Sequence, residues 1–147
     1  MISVPITLLD ADLDLPRYAN PGDAGCDLLA RESAMVPSGG GRVLMPTGIK
    51  IALPDGYAGF IQPRSGLALH HGVTCLNSPG LIDAGYRGEL KVLLINTDPR
   101  EDFMISRGDR IAQLVIQEVA HAAFELVSDD DLGASHRNEA GFGSTGR

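Results

Sequence analysis

A chain of 147 residues with 44% hydrophobic content is the size of one ordinary domain and can bury a core without disulfides. Its net charge of -7 and pI of about 4.9 argue against polymeric nucleic acid as a partner, since that affinity comes from phosphate neutralisation. Two cysteines, Cys26 and Cys75, make no disulfide framework, and no Cys-x-x-Cys spacing points to zinc. No apolar run reaches membrane-spanning length and no basic-then-apolar leader opens the chain, so a soluble cytoplasmic protein without a membrane partner is expected.

The 18 Gly and 9 Pro fall between short apolar runs, which predicts an all-β sandwich or barrel of many short strands. Ile2, Val4, Ile6 and Leu8 alternate as a half-buried strand does, and Pro5 confines that strand to an edge. After a loop at Pro21 to Gly25, Asp27 to Ala30 resumes a strand. Gly39-Gly40-Gly41 turns into a strand at Arg42 to Met45. Gly48 to Leu53 is the next strand, closed by the turn Pro54-Asp55-Gly56. Tyr57 to Gln62 then runs to Pro63. One short helix is predicted over Gly66 to His71, with Ser65 placed to cap it and Gly72 to end it. Val73 to Leu76 and Leu90 to Ile95 are strands, and the stretch from Gly80 between them is the polar tip of a hairpin. Phe103 to Ile105, a turn at Arg107-Gly108-Asp109 and a strand from Ile111 to Gln117 follow. Ala120 to Val127 is a last strand or a short helix, with strand favoured because Phe124, Leu126 and Val127 precede a polar break. From Ser128 only Leu132 and Phe142 are large and apolar, so a flexible tail is expected.

An acidic chain still binds a small anion where arginines converge, which singles out Arg64, Arg107, Arg110 and Arg137. In Pro63-Arg64-Ser65-Gly66, a guanidinium, a hydroxyl and helix-start N–H groups make an anion site or simply a capped turn. On the tip at Asp83-Ala84-Gly85, the Asp can orient a water and Tyr86 can floor a ring. The tip's backbone can read the edge of a planar ligand; the alternative is a surface hairpin with solvated charges. Asp27 beside a tight glycine turn bonds backbone N–H groups or faces a metal's water shell. Strand alternation puts Gln113 on the face of Ile111 and Val115, where it needs a hydrogen-bond partner, the backbone being the plain candidate. Phe142-Gly143-Ser144-Thr145-Gly146 can wrap phosphate oxygens through successive N–H groups, or be a linker. His70, His71, His121 and His136 show no metal spacing.

As an ordered set these stretches say more. Ala24-Gly25-Cys26-Asp27-Leu28, Pro63-Arg64-Ser65-Gly66-Leu67-Ala68, Gly80-Leu81-Ile82-Asp83 with Tyr86-Arg87-Gly88-Glu89, Arg107-Gly108-Asp109-Arg110-Ile111-Ala112-Gln113, and Arg137 with Gly141-Phe142-Gly143-Ser144-Thr145-Gly146 are similar to the five motifs of the trimeric dUTPases. The resemblance spans nearly the whole chain. It implies a jelly roll, or distorted β-barrel, in a homotrimer with active sites shared between subunits. It also implies Mg2+-dependent hydrolysis of dUTP to dUMP and pyrophosphate, by water attack on the alpha-phosphate. Such an activity limits uracil incorporation into DNA and supplies dUMP for thymidylate synthesis.

By the same resemblance Asp83 orients and deprotonates the water, with Arg64 and Arg137 as its catalytic partners. Tyr86 packs under the deoxyribose, and Asn77, Leu81 and Ile82 read uracil. Arg64, Ser65, Gly66 and Gln113 hold phosphates. Asp27 faces the water shell of a magnesium carried mainly by the triphosphate. Lys91 lines the site. Arg137, Phe142, Gly143, Ser144 and Thr145 close over the ligand. Residues 1–127 are then the jelly-roll catalytic domain and 128–147 the tail that closes over the site. At roughly 3.3 Å per residue, the ~15 residues past Leu132 reach about 50 Å, enough to cover a neighbour's site. Asn138 and Ala140 stand where the family commonly has Gly, which stiffens the tail. Two rivals use the same pocket: a dCTP deaminase of the same superfamily, marked by ammonia release, and a trimeric regulatory module that binds nucleotide without turnover.

Overall fold

The computed structural model describes residues 2–133 and residue 135. Its strands are β1 (Ile6–Leu8), β2 (Gly25–Leu29), β3 (Ala34–Val36), β4 (Arg42–Pro46), β5 (Ile49–Ile51), β6 (Tyr57–Pro63), β7 (Val73–Cys75), β8 (Gly80–Ile82), β9 (Lys91–Asn96), β10 (Phe103–Ile105) and β11 (Arg110–Glu118). One α-helix, α1 (Ser65–His71), joins β6 to β7, and a 3₁₀ turn follows at Asp129–Leu132. Strands β2-β11-β6-β8 form one sheet and β4-β9-β7 another, with β1-β5 and β10-β3 as two-stranded ribbons. Every pairing is antiparallel. The result is the all-β jelly roll expected from the sequence.

The two larger sheets face each other across the core. Leu28, Ile61 and Leu114 come from the first, and Met45, Val73, Val92 and Leu94 from the second. Alternation does this in β9, where Val92, Leu94 and Asn96 are buried while Lys91 is exposed. Each fully buried aliphatic side chain stabilises the fold by roughly 1.5–3 kcal/mol. Asn96 is tolerated inside because it is satisfied: Nδ2 donates to the carbonyls of Val36 (3.1 Å) and Glu101 (2.8 Å), and Oδ1 accepts from the Asp98 N–H (2.9 Å).

Several expectations need correction. The first strand is only Ile6–Leu8, and all three residues are exposed, because β1 lies in a two-stranded ribbon with β5. The short β3 carried no sequence signal. β7 does pair with β9, at Cys75↔Leu94 for example. The stretch after it is not a hairpin tip, however: Gly80–Ile82 crosses to the other sheet and pairs with β6. Ser65 is the first residue of α1, not its cap; Arg64 holds that position with extended backbone and no side-chain cap bond. Gly72 ends the helix as expected, at φ 64°, its N–H bonded to the carbonyls of Ala68 and Leu67. Ala120 to Val127 is neither strand nor helix, and Phe124 is 97% exposed. Among the described residues no strand pairs with that segment, and Phe124 and Leu126 are left fully exposed.

Candidate active site

The predicted site residues that are described fall mainly into two separate clefts. The first, of about 330 Å³, is lined by Leu44, Ile61, Asn77, Gly80, Leu81, Ile82, Asp83, Tyr86 and Lys91. Strand β8 forms its wall. It is an edge strand, paired to β6 at Phe60↔Leu81 and Ile61↔Gly80, with no strand on its other side among the described residues. An edge strand presents N–H and C=O groups that no ladder uses. Those groups suit a planar ligand whose own edge alternates donor and acceptor. Gly80 lets β8 sit this close, since a Cβ there would come within 3.2 Å of the Ile61 Cβ.

Asp83 follows β8 directly. Its carbonyl accepts from the Tyr86 N–H (3.0 Å), which closes a turn. Its side chain is exposed and makes no hydrogen bond or ion pair among the described residues. A carboxylate in that state is open to a water. Tyr86 folds back so that its hydroxyl donates to the Glu89 carbonyl (2.9 Å). Arg87 points back into the same turn, donating to the carbonyls of Ala84 and Tyr86. It therefore braces the turn.

The second cleft, of about 260 Å³, lies beside α1 and is lined by Arg64, Ser65, Gly66, Leu67, His70, His71 and Gln113. Arg64 leaves the chain at the corner between β6 and α1. Its Nε stands 3.1 Å from Asp27 Oδ1, and its Nη1 donates to the Arg110 carbonyl (3.2 Å). Arg110 Nη1 lies 3.7 Å from Asp27 Oδ2. Asp27 is thus bracketed by two guanidiniums, and the backbone N–H bonds entertained for it do not form. The Arg64 contact is an ion pair by distance but is not aligned as a hydrogen bond, so Oδ1 is buried and unsatisfied.

Gln113 has different neighbours from those expected. Across the sheet it faces Asp27 in β2 and Gln62 in β6, a polar row. A bulge between Arg110 and Ala112 turns Ile111 into the core, so Gln113 shares a side with Val115 but not with Ile111. The histidines end the helix and also enter the cleft. His70 stands four residues after Gly66, one turn above it, and that spacing was the signal that could have placed it. His71 packs on Phe103, ring centroids 4.6 Å apart. Leu44 and the Arg110–Asp27 contact come from long-range pairing and left no local signal.

Arg137, Phe142, Gly143, Ser144 and Thr145 lie outside the described residues. The two clefts share no lining residue: Asp83 lines the first and Arg64 the second. Burial raises both thiols, Cys75 to about 11, which argues against thiolate chemistry. Among the described residues no cluster of three or more His, Cys, Asp or Glu could hold a metal, and no helix is long and apolar enough to cross a membrane.

Residues 11–146 match the dUTPase family. The deoxyuridine 5'-triphosphate nucleotidohydrolase of Thermobifida fusca (strain YX) is 59% identical over 145 residues, covering 99% of this chain and 79% of the relative. The dUTPase of Staphylococcus bacteriophage 80alpha, solved with dUpNHpp, is similar in structure with a TM-score of 0.87, at 25% identity over 100% of both chains. A mutant dUTPase from phage phi11 of S. aureus, whose structure details a structural Mg(II) ion, shares the fold at a TM-score of 0.80 and 22% identity, over 87% of this chain and 98% of that one. The chain belongs to the dUTPase family.

Proposed function

We propose that three copies of this chain hydrolyse dUTP to dUMP and pyrophosphate in sites shared between subunits. The observation that carries this reading is the separation of the two clefts. One suits a base and sugar, the other suits phosphates, and on a single chain the two have no lining residue in common. In the first cleft the free edge of β8, with Asn77, pairs with the N3–H and O4 of uracil. Cytosine reverses that donor and acceptor and would leave buried polar groups unmatched. Tyr86 packs on the deoxyribose and leaves no room for a 2′-hydroxyl. Asp83 takes the proton of the water that attacks the alpha-phosphorus, and Lys91 lines the site.

In the second cleft Arg64, Ser65, Gly66 and Gln113 hold the phosphates. A positioned base supplies about 10²- to 10⁴-fold. Enzymes lower barriers by roughly 8–23 kcal/mol, so guanidiniums and alignment carry the larger share. Arg64 has that role here, with Arg137 from the 128–147 tail, which closes over the ligand with Phe142, Gly143, Ser144 and Thr145. Magnesium fits this donor set as an ion held by triphosphate oxygens and water, because the described residues offer no cage. Asp27 would face its water shell through Oδ2, because Oδ1 is buried against Arg64. When bound, the ion neutralises phosphate charge.

Two further features support assembly. Ile2, Ile6, Leu15 and Tyr18 border an apolar cleft of about 440 Å³ and are exposed on a single chain. Phe124 and Leu126 are exposed as well. Patches of this kind mark a contact face. Two unpaired cysteines and a nucleotide substrate fit the cytoplasm. The test is pyrophosphate release from dUTP, UTP, dTTP and dCTP with and without magnesium. Release from dUTP alone, dependent on the metal, is expected; ammonia from dCTP, or binding without turnover, would replace this reading.

A further inference from the structure

We infer that Arg31 and Glu89, which line neither cleft, anchor Tyr86 and thereby set the discrimination between deoxyribo- and ribonucleotides. The inference rests on the sugar-packing role proposed above for Tyr86. The Tyr86 ring is held at two points. It lies on Gly88, where any Cβ would collide with the ring and hydroxyl, and its hydroxyl is tied to the Glu89 carbonyl. The tie is only as firm as the Glu89 backbone.

That backbone is fixed from the side chain. Glu89 sends its carboxylate into the corner between β4 and β5. There Oε1 accepts from the Gly48 N–H (3.0 Å) and stands 3.4 Å from Arg31 Nη1. Gly48 sits at φ 75°, a left-handed corner that a side chain would strain. Leu90 is clamped to the same corner: its N–H donates to the Ile49 carbonyl (2.9 Å), and its carbonyl accepts from the Thr47 hydroxyl (2.7 Å). Arg31 is braced in turn. Its Nη2 donates to the Leu9 carbonyl (3.1 Å), and its Nε lies 3.9 Å from Asp10 Oδ2. A Glu side chain only 16% exposed, in contact with an N–H and a guanidinium, is an anchor and not a solvated surface charge. A ring that excludes one hydroxyl by contact loses that power once its tip can swing. A deoxyribose asks less of the ring and should tolerate the same loosening.

The experiment compares kcat/KM for dUTP and UTP in wild type, R31A, R31K, E89Q and Y86A, with thermal melts to confirm folding. R31A should raise the UTP-to-dUTP ratio about two- to fivefold, the scale of one partly exposed ion pair. E89Q should act in the same direction and carries the test if R31A does not fold. R31K should restore part of the discrimination, because an ammonium can keep the contact to Glu89 but not the bracing contacts to Leu9 and Asp10 as well. For dUTP, kcat and KM should stay within about twofold, since the pair lines neither cleft and a deoxyribose tolerates a looser ring. Loss of fold alone would lower both substrates together and leave the ratio where it was. An unchanged ratio in R31A and E89Q, with Y86A relaxed, overturns the anchor and leaves the Tyr86 role standing. An unchanged ratio in Y86A overturns the sugar role and the anchor with it.

Discussion

The β8 cleft and the α1 cleft are built from different materials. The first uses a strand edge, an aromatic ring and one unpaired carboxylate, all fixed by backbone pairing to β6 and by the turn from Asp83 to Tyr86. The second uses guanidiniums, and these are held by charge, with Asp27 between Arg64 and Arg110. Shape suits the part of a nucleotide that must be told from its analogues. Charge suits the part where negative charge gathers as the bond breaks. The contrast teaches that the two clefts have separate supports in this chain; on the proposed function, selectivity rests on one and rate on the other, and another copy brings them together.

The largest expected effect breaks the first cleft's chemistry and spares its shape. D83N should lower kcat for dUTP about 10²- to 10⁴-fold with KM little changed. Asp83 is exposed and carries no structural bond, so the melting temperature should hold. A variant that kept a tenth of wild-type turnover would remove Asp83 from the role of base. Next is a test of the separation itself. R64A alone should lose about 10²- to 10³-fold in kcat, the scale for removing one preorganised charge donor. Refolding D83N and R64A together at equal amounts mixes the chains within the proposed trimers. With the clefts on different chains, about one site in four then carries both native groups, and activity returns to about a quarter of wild type. No recovery from trimers shown to be mixed would mean that Asp83 and Arg64 serve from the same chain.

The contrast also explains what the sequence made legible. Local chemistry was readable: the Gly72 stop, the turn at Arg107-Gly108-Asp109 and β10 all form where residue type alone puts them. The motif residues that line both clefts were readable as an ordered set, by their resemblance to a family and not by the position of each one. Partnership was not. Gly80–Ile82 looked like a hairpin tip since its neighbours β7 and β9 do pair, yet its own partner is β6, some twenty residues earlier (roughly one supersecondary unit). Gln113 looked stranded among apolar residues because Asp27 and Gln62 reach it only across the sheet. The exposed run from Ala120 to Val127 has strand-like composition but no strand beside it among the described residues. Burial and pairing are decided by distant residues, and a single sequence does not display those.

Asp10 gives the smallest effect and joins the two regions. It faces Arg31, which braces the Tyr86 side, and its Oδ1 pairs with Arg107 Nη2 at 2.9 Å. Arg107 opens the turn that leads into β11, and β11 carries Arg110, which faces Asp27, and Gln113, which lines the α1 cleft. The Arg107 hydrogen bond is the main reason the Asp10 carboxyl titrates below its ordinary value of 3.8. A carboxyl lowered by folding stabilises the fold above its unfolded pKa, and the contribution disappears as pH falls through the folded value. D10N should therefore lower the melting temperature by about 1–2 °C at pH 7, with the gap closing as pH drops below that of the free carboxyl. The pair is at the surface, so salt should shrink the gap too. If Asp10 serves only the Arg107 side, D10N will leave the UTP-to-dUTP ratio untouched. If it also steadies Arg31, the ratio will rise by about twofold or less, smaller than in R31A because the 3.9 Å contact is the looser of Arg31's two ion pairs.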